Sequence, residues 1–119
     1  MAKIKIAVAG CLGRMGQELS KQIIKNNKLE FVGGFEHKKH KDINKQFKNV
    51  SGIDSNKIID SNPINSIKTA NVVIDFTTPQ STLENVKIAS QNKTAVIIGT
   101  TGMTESQKKK VKSYAKKIP

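Results

Sequence analysis

The segment VAGCLGRMGQEL, residues 8–19, constrains this chain more than any other: it sets three glycines between an apolar run and a helical pattern. Glycine loses more backbone freedom on folding than any other residue, so Gly10, Gly13 and Gly16 point to a backbone conformation that side chains would obstruct. Before them, Ile4, Ile6, Ala7 and Val8 suit a buried parallel strand ending at Gly10. After them, Met15, Leu19 and Ile23 recur every four residues, which predicts a helix over about residues 13–27 with that face toward the core. The Asn26-Asn27 pair would end it. A helix start carries unsatisfied N–H groups and the positive end of the dipole, and glycines ahead of it let an anion approach the backbone closely. The segment reads as a cradle for a pyrophosphate, with a plain tight strand-to-helix turn as the alternative.

The usual dinucleotide fingerprint is G-x-G-x-x-G, and here Leu12 stands where its second glycine would fall. Three features offset this departure: the motif follows a strand, opens a helix, and has an acidic residue, Glu36, about 20 residues after Gly16, where a ribose hydroxyl partner is expected. Arg14 is the only arginine among 21 cations, and it lies inside this loop. Its planar guanidinium can bind phosphate through two parallel hydrogen bonds, which an ammonium cannot. Glu36 favours NADH, whereas the cationic group His37, Lys38 and Lys39 beside it would accept the 2′-phosphate of NADPH. Both cofactors are therefore expected. His37 and His40 lack acidic or cysteine partners at ligand spacing and read as solvated, so no metal site is expected.

Further along, Leu29 to Glu36 reads as a second strand, and the polar stretch from His37 to Lys57 as a mobile surface loop. Ile58 and Ile59 suggest a short strand, and SNPINSIKTA a turn with a short helix. Asn71-VVIDFT is a nearly continuous β-rich run that belongs inside the sheet. Thr78 and Pro79 then have the form of a helix cap and first helical residue, with Leu83, Val86 and Ala89 carrying the helix to about Asn92. Thr94 to Thr100 reads as a buried strand closed by Gly99 and Gly102. Thr104 and Gln107 have capping-box spacing for a last helix. Strands alternating with helices predict an α/β fold, a Rossmann-like doubly wound parallel sheet in a single domain spanning residues 1–119. Ligands of such sheets bind beyond the carboxyl ends of the strands, where Gly10–Gly16, Glu36, Asp75–Thr78 and Gly99–Gly102 all fall. Asp75, closing an apolar run, reads as structural, bonding backbone or loop hydroxyls.

Composition excludes other classes. The formal net charge of +12 raises nucleic-acid binding, but the lysines are scattered from Lys3 to Lys117 and only five aromatics are present, so no stacking platform is apparent. No apolar run approaches the ~20 residues of a membrane span, and the amino terminus lacks the pattern of a secretory signal. The lone Cys11 rules out an internal disulfide framework. A cytoplasmic setting is expected.

Three segments together, VAGCLGRMGQEL, VIDFTTP at Val73–Pro79 and VIIGTTGM at Val96–Met103, resemble the cofactor domain of the bacterial dihydrodipicolinate reductases, the 4-hydroxy-tetrahydrodipicolinate reductases of diaminopimelate and lysine biosynthesis. The resemblance runs the whole chain, with residues 38–71 least informative. It implies that Gly10, Cys11, Leu12, Gly13, Arg14 and Met15 wrap the pyrophosphate and that Glu36 holds the adenosine ribose. His37 would stand where the family often has an arginine for the 2′-phosphate. Phe76 and Thr77 would border the nicotinamide half, while Gly99, Thr100 and Thr101 would hold its carboxamide and touch substrate. The family continues beyond this length into a substrate domain with the catalytic residues and the homotetramer contacts. By that implication this chain is a separately folded, monomeric cofactor domain that binds NADH or NADPH without turning over, and no catalytic residue is named in it. A free-standing NAD(H)-binding regulatory module and a basic nucleic-acid-binding protein are the rival readings.

Overall fold

The computed structural model describes residues 2–118. Strands β1 (Ile4–Ala9), β2 (Leu29–Phe35), β3 (Ile59–Asp60), β4 (Val72–Asp75) and β5 (Ala95–Ile98) form one sheet in the order β3-β2-β1-β4-β5. Every pairing in it is parallel. The connecting helices are α1 (Arg14–Lys25), α2 (Phe47–Val50), α3 (Pro63–Ile67), α4 (Pro79–Gln91) and α5 (Glu105–Ala115). This is the Rossmann-like α/β fold that the sequence predicts.

The sheet is buried on both faces at β1, which is why that strand is a continuous apolar run rather than an alternating one. Ile6 and Val8 point to one face, where Ile23 of α1 joins Phe31, Phe47, Ile53 and Ile59. Ala7 and Ala9 point to the other, against Val73, Ile67 of α3 and Ala89 of α4. The caps follow the sequence closely. Thr78 accepts the Ser81 N–H with Pro79 in the first turn of α4, and Thr104 and Gln107 close a reciprocal capping box on α5.

Three expectations are corrected. The inward face of α1 is Gly16, Ser20 and Ile23, whereas Met15 is 50% exposed. The reason is proximity: a Cβ on Gly16 would collide with the Gly10 carbonyl oxygen and lie 2.8 Å from Cys11 Cα, so the helix sits too near the turn for a larger residue. The stretch from His37 to Lys57 is not a loose loop. Phe47 and Ile53 are fully buried from it, with Phe47 edge-on to Phe31 at a centroid distance of 5.2 Å. Asn44 and Phe47 donate backbone N–H groups to Ile59 and Lys57 at 2.8 and 3.0 Å, tying the segment to the approach to β3. Finally, β5 is an edge strand rather than a buried one: Ile97 is 56% and Ile98 37% exposed.

The order places β2 and β4 on opposite sides of β1. The chain leaves β1 and β4 in diverging directions, α1 packing on one face and α4 on the other, so a crevice opens between their carboxyl ends.

Candidate functional site

Gly10 makes the turn out of β1 with φ +74°, a left-handed conformation that side chains resist. Its N–H and that of Cys11 both point to the Phe35 carbonyl, at 3.0 and 3.4 Å, while Gly13 N–H closes back on Gly10 O at 3.1 Å. The turn is thereby built from main-chain bonds. Cys11 is fully buried beneath it, its side chain against Gly34, and burial together with the charge of Glu36 pushes the thiol well above its ordinary range. A protonated, enclosed thiol is a packing residue and not a nucleophile.

The Leu12 N–H donates to Glu36 Oε2 at 2.7 Å, a charge-assisted bond that fixes the carboxylate at the end of β2 against the glycine turn. The next free amides, those of Arg14 and Met15 at the start of α1, engage no other group among the described residues. No acidic residue lies in the first turn of α1, so the positive end of its dipole is uncompensated from within the helix. Arg14 is exposed and forms no ion pair among the described residues. His37 Nδ1 accepts the Lys39 N–H at 3.2 Å, so the ring proton is carried by Nε2.

A cleft of about 580 Å³ runs from Gly10 and Gly13 across Phe35, Glu36, His37 and Lys38 to Phe76, Thr77 and Thr78. It unites the glycine turn, the acidic residue just after β2 and the loop after β4, which the sequence reading placed in one site. Ser61 and Pro63, beside β3, and Ser81, Glu84 and Asn85, on α4, complete its walls. Those five residues carried no local signal, because the short β3 and the polar face of α4 have no recognisable period.

The other predicted residues lie elsewhere. Arg14 and Met15 are exposed at the start of α1, following Gly13 but outside the lining of the cleft, and Leu12 packs partly on the core. Gly99 lies under the Phe76 ring, which occupies the place of its missing side chain. Thr100 is held internally, and Thr101 is exposed beyond it. The holding group is Asp75, fully buried at the end of β4. Its Oδ1 accepts from Thr77 N–H at 2.9 Å, Thr77 Oγ1–H at 2.6 Å and Thr100 Oγ1–H at 3.4 Å, while Oδ2 accepts from Asn85 Nδ2 at 3.0 Å. Asp75 therefore does bond backbone and loop hydroxyls, as its sequence context suggests.

Against these features stand the known proteins. The family described as dihydrodipicolinate reductase, N-terminus, matches residues 4–119. The chain belongs to this dihydrodipicolinate reductase family. Across its whole length it is 39% identical to the 4-hydroxy-tetrahydrodipicolinate reductase of Pelagibacter ubique, and it covers 42% of that relative. The reductase of Colwellia psychrerythraea is 36% identical over 88% of the chain. In structure, 95% of the chain superposes on 43% of a dipicolinate-bound dihydrodipicolinate reductase from a Paenisporosarcina species, with a TM-score of 0.72 at 28% identity. A Candida albicans aspartate semialdehyde dehydrogenase with NADP shares the fold alone, at a TM-score of 0.69 and 15% identity. The chain thus spans less than half the length of the reductases it matches. No helix among the described residues is long and apolar enough to cross a membrane.

Proposed function

We propose that this chain is the nicotinamide-dinucleotide-binding domain of a 4-hydroxy-tetrahydrodipicolinate reductase in diaminopimelate and lysine biosynthesis. The observation that carries the reading is the cleft in which the glycine turn, the amino end of α1 and the Glu36 carboxylate converge. The free amides of Arg14 and Met15 present donors to a diphosphate, and the Arg14 guanidinium adds a paired contact at its rim. Glu36 Oε1, opposite the oxygen held by Leu12, is the acceptor for a ribose diol. His37 Nε2–H and Lys38 lie beside it as partners for a 2′-phosphate, so both NADH and NADPH are accommodated. Phe76 and Thr77 border the nicotinamide half, and the Gly99 and Thr100 backbone with the exposed Thr101 hydroxyl faces its carboxamide and the substrate.

When bound, the cofactor supplies hydride to a cyclic unsaturated dicarboxylate, and these residues supply its orientation. The groups that bind and protonate that substrate belong to the remaining length of the relatives, where the homotetramer contacts also lie. Residues 1–119 act as one cofactor-binding domain, monomeric on its own and cytoplasmic. Calorimetric titration of the chain with NADH and NADPH at modest salt tests this: at least one binds with submillimolar affinity. Absence of heat for both at millimolar concentration refutes the site.

A further inference from the structure

The inner face of α4 carries polar side chains where its sequence pattern predicts apolar ones. Thr82 is fully buried and Asn85 is 3% exposed. Burying a hydroxyl or an amide is unfavourable unless each finds a partner, and an apolar residue of like shape would fill the space without that demand. Both do find partners, and the pattern of those partners has a direction. Thr82 Oγ1–H donates to Thr100 Oγ1 at 2.7 Å, and Thr77 N–H reaches the same oxygen at 3.2 Å. With both lone pairs of Thr100 so occupied, its own proton points to Asp75. The carboxylate accepts only, so the chain of hydroxyls runs one way, from α4 through Thr100 to the end of β4. Asn85 braces the other carboxylate oxygen from the same helix.

The loop after β5 is otherwise sparsely held. Gly99 N–H donates to Asp75 O at 2.7 Å, yet Thr101 and Gly102 are exposed and a Cβ on Gly102 would touch nothing within 4 Å. With Gly99 fixed under the Phe76 ring, the direction of the peptides beyond it is set by the Thr100 side chain, which Thr82, Thr77 and Asp75 grip. We infer that Thr82 of α4 is a positioning residue that aims the Gly99–Thr101 backbone at the nicotinamide half of a dinucleotide without touching it, while Asn85 braces the carboxylate that completes the grip. This rests on the dinucleotide reading above. Because the diphosphate and ribose contacts come from the glycine turn and Glu36, the two halves of the ligand depend on separate devices.

The experiment compares NADH with ADP-ribose, which lacks the nicotinamide, on the same protein. Thr82→Val keeps the shape and removes the hydroxyl. It weakens NADH binding about tenfold, the loss expected for one buried hydrogen bond, and leaves ADP-ribose affinity within twofold. Thr82→Ser, which keeps the hydroxyl, restores NADH affinity. A general loss of structure would lower both ligands together, so equal losses, or no loss for NADH, overturn the inference. Should Thr82→Val fail to fold, Thr82→Ala removes the same hydroxyl with less bulk and gives the same two-ligand comparison, judged by the same outcomes. Unmodified protein that binds neither ligand takes down the dinucleotide reading along with the inference, whereas binding of both with no selective effect in either variant takes down the inference alone.

Discussion

The two loops at the carboxyl edge of the sheet are held by different chemistry. The turn after β1 is mostly main chain: amides of Gly10, Cys11 and Gly13 close on carbonyls, the helix behind it packs backbone to backbone at Gly16, and side chains enter only through Glu36 and Gln17 at Leu12. The loops after β4 and β5 are joined by side chains, two hydroxyls and an amide gathered on one carboxylate with a third hydroxyl, that of Thr82, behind Thr100. A main-chain cradle leaves amide donors facing outward and tolerates little change of its glycines. A side-chain network can lose one member and keep the rest, which makes the second loop adjustable where the first is fixed.

Substitutions can break or sharpen that contrast. The largest effect is expected from Gly16→Ala. The new methyl meets the Gly10 carbonyl and the Cys11 backbone, neither of which can swing aside, so unfolding in denaturant should show a loss of about 3 kcal/mol. A stable Gly16→Ala protein would mean that the turn yields and is not a fixed cradle. Arg14→Ala comes next and separates binding from folding. Stability stays within about 0.5 kcal/mol, as for an exposed side chain, while dinucleotide affinity falls roughly tenfold, about 1.4 kcal/mol. An unchanged dissociation constant would show the guanidinium idle. The smallest effect lies away from both loops. Thr104→Ala removes the cap of α5 and costs about 1 kcal/mol, seen as faster amide exchange in residues 105–115, with dinucleotide affinity unaltered. A change in affinity there would couple α5 to the β5 loop.

Legibility in the sequence follows the same divide. Gly10 and Gly16, the Thr78-Pro79 cap and the Thr104/Gln107 box are local signals, since each residue acts on backbone within a turn or two of itself, and all were readable. Glu36 was readable because its distance from the glycine turn is set by the length of one helix and one strand. The hydroxyl network was not. Thr82 and Thr100 meet across 18 positions and Thr77 and Thr100 across 23, distances at which no period exists to be seen. Leu83, Val86 and Ala89 suggested an apolar face for α4, but Leu83 is only partly buried and Thr82 and Asn85 turn inward instead. Phe47 and Ile53 were hidden for a related reason: single apolar residues in a charged stretch carry no pattern, although each fills a gap in the core. Met15 misled because the helical period alone could not reveal how closely Gly16 and Ser20 approach the turn.

Cys11 gives this architecture a reporter of its own. Its sulfur is sealed by the very turn that would receive the diphosphate, and the native thiol keeps its proton while an unfolded one, with an ordinary value of 9.0, ionises. The folded state accordingly loses ground in alkali above that point, since only the disordered chain can shed the proton there. At neutral pH an alkylating reagent reaches the sulfhydryl only when the turn lifts, and a ligand seated on the turn must slow that event. The chain carries a stopwatch for its own breathing, with a single tick to count.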